Sequence, residues 1–214
     1  MVANRKMNIL CVIAHPDDLE LMAAGTIAKL TKEGHKVHVL TFTDGVWASP
    51  DGTFMRDREE ALFEQSVVAN LLGYSVENLK YRTMEMRFQD KHVCEVLDRI
   101  ERLHIDTLIC PYEGDLHHDH EIVTRITISA SKRIKRILMG QVNHYIREFF
   151  KPNYFVDISN TWDQKIEALK CYKSEWKRTG NDWYDYLDHV TRYYGAICGV
   201  ERAEGFVTKK FLYF

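Results

Sequence analysis

The chain has 214 residues, 45% of them hydrophobic and 28% charged, with a formal charge of −2, which suits an ordinary soluble protein with one full core. That near-neutral balance argues against nucleic acid as a partner, since a polyanion calls for a basic excess. Five cysteines, with no Cys-x-x-Cys pair among them, argue for a reducing, cytoplasmic setting rather than a disulfide framework, and the apolar run near the N-terminus is too short for a membrane span.

Residues 7–14 form a nearly continuous apolar run, the pattern of a strand buried on both faces. Its exit carries His15, Pro16, Asp17 and Asp18. Residues 19–32 predict a helix ended by Gly34, a residue suited to the left-handed stop. A second strand over 35–42 is closed by Asp44-Gly45, a turn signal. A loop over 46–54 follows, with Ser49-Pro50-Asp51-Gly52 at its tip, then a helix over 56–72 stopped by Gly73. A short strand at 79–83, a helix over 93–103 and a strand over 107–112 come next. That third clear strand leads into Asp115, His117, His118, Asp119 and His120. A long helix is expected over 120–138, with the basic stretch 132–136 as a solvated face near its end, where cations favour the helix dipole. Strands at 140–145 and 154–158 and a helix at 161–175 complete the readable part. The aromatic-rich remainder resists assignment, and there is no repeat. The whole of 1–214 reads as a single domain.

Strands alternating with helices imply parallel crossovers, hence an α/β fold with a mainly parallel, doubly wound sheet and helices on both faces. Such sheets bind ligands beyond the carboxyl ends of their strands. Both His/Asp clusters stand at such ends. A catalytic zinc needs about three protein ligands and an open position. His15 and Asp18, three residues apart, can meet on one ion, with a third ligand from His117, His118 or His120. Asp17 is then a free carboxylate beside the metal, placed to act as general base. A spare histidine is available for a developing oxyanion, with Asp119 to orient it. Trp47, on the loop beyond the second strand, either stacks on a substrate or anchors its loop. The plainer alternative makes Asp17, Asp18 and Asp119 ordinary helix caps; two such clusters at one sheet edge argue for chemistry.

Two other functional classes fit less well. A binding or assembly protein with a structural metal would close its site with four Cys or His ligands, whereas carboxylates and a histidine are left over here. A nucleotide-binding enzyme would carry a Gly-rich turn after the first strand. His15-Pro16-Asp17-Asp18 occupies that place, and its carboxylates would repel a pyrophosphate.

Ala14-His15-Pro16-Asp17-Asp18-Leu19-Glu20 resembles the A-H-P-D-D-x-E signature of the LmbE-like, or PIG-L, de-N-acetylases. Asp115-x-His117-x-Asp119-His120 is similar to their second motif, usually H-P-D-H. Thr43-Asp44-Gly45, Leu72-Gly73, 155–159 with 165–169, and Ala203-Glu204-x-Phe206 resemble further family segments. The resemblance implies a Rossmann-like fold and zinc, or iron or another divalent ion, on His15, Asp18 and His120. It implies Asp17 as general base and His117, supported by Asp119, as the group that stabilises the oxyanion or protonates the amine. Arg56 and Arg58, at the expected start of the second helix, both fit a substrate contact, with Arg56 the favoured candidate. The substrate class implied is an N-acetylglucosamine-type sugar or conjugate. One residue departs from the family pattern: His118 stands where proline is usual, which frees the turn and adds a candidate ligand or substrate contact. The aromatic segment 183–194 suits either a pocket wall or a homo-oligomer contact.

Overall fold

The computed structural model describes residues 6–49, 51–179 and 182–212; Pro50, in the expected loop tip, lies outside them. β1 (Asn8–Ile13) is the centre of the fold, paired in parallel with β2 (Lys36–Thr43) on one side and β6 (Thr107–Pro111) on the other. Its residues alternate between two cores. Ile9, Cys11 and Ile13 pack with α1 (Asp18–Lys32), α2 (Arg58–Leu72) and α5 (Trp162–Cys171). Leu10, Val12 and Ala14 pack with α3 (Asp90–Arg102) and α4 (His118–Ala130) on the opposite face. Each fully buried large aliphatic side chain contributes about 1.5–3 kcal/mol, so β1 is a firm platform for the residues at its exit.

With β5 (Ser75–Tyr81), β7 (Arg136–Gly140), β8 (Tyr154–Asp157) and β9 (Ala203–Phe211), the sheet has seven strands in the order β5-β2-β1-β6-β7-β9-β8. The pairs from β5 to β7 are parallel, and β9 runs antiparallel between β7 and β8. The chain steps outward from β1 to β2 and β5, then returns to place β6 on the other side of β1. This reversal opens a crevice at the carboxyl ends of β1 and β6. The expected α/β fold, mainly parallel with helices on both faces, is what the structure contains.

Several boundaries differ from the sequence expectation. The helix expected over 120–138 is α4, a turn and β7. Ile126, Ala130, Ile134 and Leu138 recur every four residues and are all buried, so the helical spacing runs on into the strand. Ser131 ends the helix, its hydroxyl and N–H both on the Ile128 carbonyl, and the basic stretch 132–136 falls in the turn and the start of β7. The strand expected at 140–145 is instead an irregular segment after β7. Residues 46–54 are not wholly loop, since β3 (Trp47–Ala48) pairs with β4 (Phe54–Arg56). α2 starts after Asp57, whose side chain accepts from Glu60 N–H at 2.8 Å, so Arg56 precedes the helix. The helix expected at 161–175 breaks at Tyr172 into α5 and α6 (Lys173–Thr179). The aromatic remainder forms α7 (Asp182–Cys198) and β9. All five cysteines are free, Cys11 and Cys110 being core residues. No helix among the described residues is long and apolar enough to cross a membrane.

Candidate active site

β1 delivers His15 and the two aspartates into the crevice. Asp17 stands at the N-cap position of α1 with φ 107°, and its side chain makes no capping bond. A positive φ in a residue other than glycine is a strained conformation that persists where its surroundings impose it. Here the carboxylate is turned from the helix toward the crevice. Close packing supports the turn: a side chain at Gly45 would strike the Pro16 ring, at 2.9 Å. Asp18 divides its two oxygens. Oδ2 accepts from the Ala14 and His15 N–H groups, at 3.0 and 2.8 Å, while Oδ1 faces His15 and His120.

β6 and the N-terminus of α4 supply the other wall. His120 Nε2 lies 3.2 Å from His15 Nδ1 and 3.1 Å from Asp18 Oδ1, and His15 Nδ1 lies 3.5 Å from Asp18 Oδ1. A tetrahedral metal with ligand bonds of about 2.0–2.1 Å has edges of about 3.3–3.4 Å, so the three atoms match one face of such a site. The remaining imidazole nitrogens are anchored by carboxylates, His15 Nε2 by Asp119 Oδ2 at 3.0 Å and His120 Nδ1 by Asp115 Oδ2 at 2.9 Å. That arrangement orients metal-binding histidines and raises their basicity. His117 is also close: His15, His117 and His120 offer ring nitrogens within 4.8 Å of one another. Its Nδ1, however, accepts from the Asp119 N–H at 3.3 Å, which leaves Nε2 carrying the proton.

The electrostatics separate these groups. Burial opposes charge on His15, but Asp18 and the Asp119 hydrogen bond outweigh it and raise the pKa to about 9. His120 is raised to about 10 against the same opposition, by Asp18 and Asp115. Burial likewise opposes charge on Asp18, yet the two histidines hold it well below the usual carboxylate range. Burial and the neighbouring histidines push His117 down to about 4, so it is neutral near pH 7. Burial raises Asp17 to about 8 against the pull of Arg56.

Arg56 lies behind Asp17 and is 3% exposed. Its Nη1 is 3.0 Å from Asp17 Oδ2, with Glu64 and Glu175 each 3.7 Å away and the Tyr172 ring beneath it. Its Nε is buried without a hydrogen-bond partner. His15, Asp17, Asp18, His117, His120, Arg56 and Glu175 line an open cavity of about 250 Å³. Trp47 stands at its edge with Arg178 over the ring, and Thr83, Asn143, Tyr145 and Trp183 complete the wall.

The structure thus brings together His15, Asp17, Asp18, His117, His120, Arg56 and Trp47. It corrects two expectations. The Asp119 carboxylate bonds His15, not His117, because α4 turns it toward β1; only its N–H meets His117. His118 does not line the cavity, and its ring turns away to the Met86 carbonyl, at 2.8 Å. Sequence reasoning missed Asp115 as a histidine anchor, and it missed Glu64, Glu175 and Arg178. Asp115 had a signal, the first residue of the second motif; the others had none.

The profile of the PIG-L family, described as GlcNAc-PI de-N-acetylase, matches residues 10–131. Diacetylchitobiose deacetylase of Thermococcus kodakarensis is 30% identical over 222 residues, covering 94% of this chain and 83% of that protein. The 4-oxalmesaconate hydratase of Pseudomonas putida is 23% identical over 210 residues, covering 88% and 77%. Among solved structures, a conserved protein from Thermus thermophilus superposes with a TM-score of 0.82 at 26% identity, covering 97% of each chain. With both strand-exit motifs inside the matched region, the chain belongs to the PIG-L, or LmbE-like, family.

Proposed function

We propose that this protein is a metal-dependent hydrolase that removes an N-acyl group, foremost N-acetyl, from an amino sugar or sugar conjugate. One observation carries the reading: three donor atoms at tetrahedral spacing share an open cavity with the uncapped Asp17 carboxylate. The relative that deacetylates diacetylchitobiose supports the substrate class.

His15 Nδ1, Asp18 Oδ1 and His120 Nε2 would hold a divalent cation, which supplies Lewis-acid activation of water and of the amide carbonyl. Zinc suits this donor set, and so does ferrous iron. Asp17 takes the proton of the attacking water. Its burial raises its pKa above the ordinary carboxylate range and so makes it a better proton acceptor than an exposed carboxylate. The water oxygen bonds to the acyl carbon while neutral His117 donates from Nε2 to the oxyanion. The C–N bond then breaks, the proton passes to the departing nitrogen, and acetate leaves with the free amino sugar. The Trp47 ring is the group of the wall proposed to meet the sugar, and the buried Arg56 acts behind Asp17.

A second reading comes from the Pseudomonas putida hydratase. The same base and cation could direct water onto a polarised carbon–carbon double bond. The deciding experiment measures acetate and free amine released from a panel of N-acetyl amino sugars, diacetylchitobiose included, by metal-stripped and zinc-restored protein. Zinc-restored release supports the hydrolase. Hydration of an unsaturated tricarboxylate without any acetate release would replace it with the hydratase, and inertness toward both would favour a metal-holding binding protein.

A further inference from the structure

Of the second motif only His117 and His120 line the cavity; His118 turns away from it, and it stands where the family pattern has proline. Its Nε2 faces the Met86 carbonyl at 2.8 Å, so that nitrogen carries the proton and donates. The next residue, Asp119, accepts from the Met84 N–H at 2.7 Å. Two consecutive residues in the first turn of α4 therefore grip the segment 82–89, one through a carbonyl and one through an N–H.

The segment between those grips needs them. It has no regular secondary structure, and Met84 adopts φ 66°, a conformation that L side chains keep only where the surroundings impose it. The Met86 side chain is buried, and Thr83, which lines the cavity, bonds to Asp44 at 3.2 Å. Met84 N–H shares its acceptor with the site, because Asp119 Oδ2 also meets His15 Nε2 at 3.0 Å. The position of this carboxylate thus answers to both the segment and the imidazole. Proline at 118 has no side-chain donor and could not make the Met86 bond.

We infer that His118 is a positioning residue for His15, acting through the 82–89 segment: it holds Met86, which keeps Met84 N–H on Asp119 and Asp119 on the His15 ring. The inference rests on His15 as a metal ligand, as proposed above.

The test uses the full chain with His118→Ala, His118→Pro and His118→Gln. Hydrogen exchange of the Met84 amide is read in metal-free protein, and zinc affinity is read by chelator competition. His118 is exposed, so folding survives its removal. The Ala and Pro variants should exchange Met84 about tenfold faster and bind zinc roughly three- to tenfold more weakly, less than the roughly 10- to 100-fold expected for losing a direct anchor of a metal ligand. Gln, whose amide can donate to a carbonyl, should recover most of both. Unchanged Met84 exchange in the Ala variant overturns the clamp. Faster exchange with unaltered zinc affinity overturns its link to His15. If the unsubstituted protein takes no zinc, the metal reading itself fails; the clamp is then judged by the His15 ring nitrogen shifts of metal-free protein, which must move in the Ala variant and return in the Gln variant.

Discussion

On one side of the cavity, His15 follows β1 and His120 stands in the first turn of α4, and each leans on an aspartate from the same short stretch, 115–119. Across from them, Asp17 leans on Arg56, and Arg56 is held by Glu64 from α2 and Glu175 from α6. The first half is built from two short sequence clusters on firm backbone. The second is a balance of charges, one guanidinium among three carboxylates, gathered from distant parts of the chain. A preorganised ligand set fixes whether a metal stays; a charge balance tunes how readily one carboxylate takes a proton. The two halves should therefore fail differently when cut.

The sharpest cut removes a proposed ligand. His120→Ala should abolish stoichiometric zinc and with it all metal-dependent release, measured by elemental analysis alongside acetate assay. A full complement of zinc in that variant would take His120 out of the ligand set and break the division between the halves. Asp17→Asn should do the reverse, keeping the metal while turnover falls by about 10²- to 10⁴-fold, the usual contribution of a positioned general base. Comparable turnover in that variant would mean that proton transfer belongs to another residue.

Between these extremes lies Asp115, which touches only His120 among the proposed ligands. Asp115→Asn keeps a hydrogen-bond acceptor but loses the charge facing His120 Nδ1. Zinc affinity should fall by roughly 10- to 100-fold, read by chelator competition, with the protein still folded. No change in affinity would show that backbone placement alone orients His120, and the ligand half would then be simpler than described.

The same contrast explains what could be read from the sequence. β1 and its His15–Asp18 exit were readable because a double-faced apolar run has one structural meaning and the residues after it have one dense chemistry. The second motif was readable for the same reason, although the partner of Asp119 was not: spacing along a chain does not say which way a helix turns its first residues. The base half left no trace. Glu64 and Glu175 look like any helix carboxylates, and their role follows only from the tertiary packing that buries Arg56. Where boundaries went astray, a local pattern had two meanings, as when the four-residue spacing from Ile126 to Leu138 continued from α4 into β7.

The smallest expected effect belongs to the cavity edge, which neither half holds. Trp47 is 38% exposed, with Arg178 stacked over its ring. A ring in that position can offer a flat apolar face to a sugar without touching the reacting atoms. Aromatic contacts of this kind contribute about 0.5–1.5 kcal/mol beyond area burial. Trp47→Ala should therefore raise KM for an N-acetyl amino sugar by about two- to tenfold while kcat and zinc content hold, the signature of lost uniform binding. If kcat falls instead and KM stays, Trp47 acts through Arg178, Glu175 and Arg56 on Asp17 and belongs to the charge-balanced half after all.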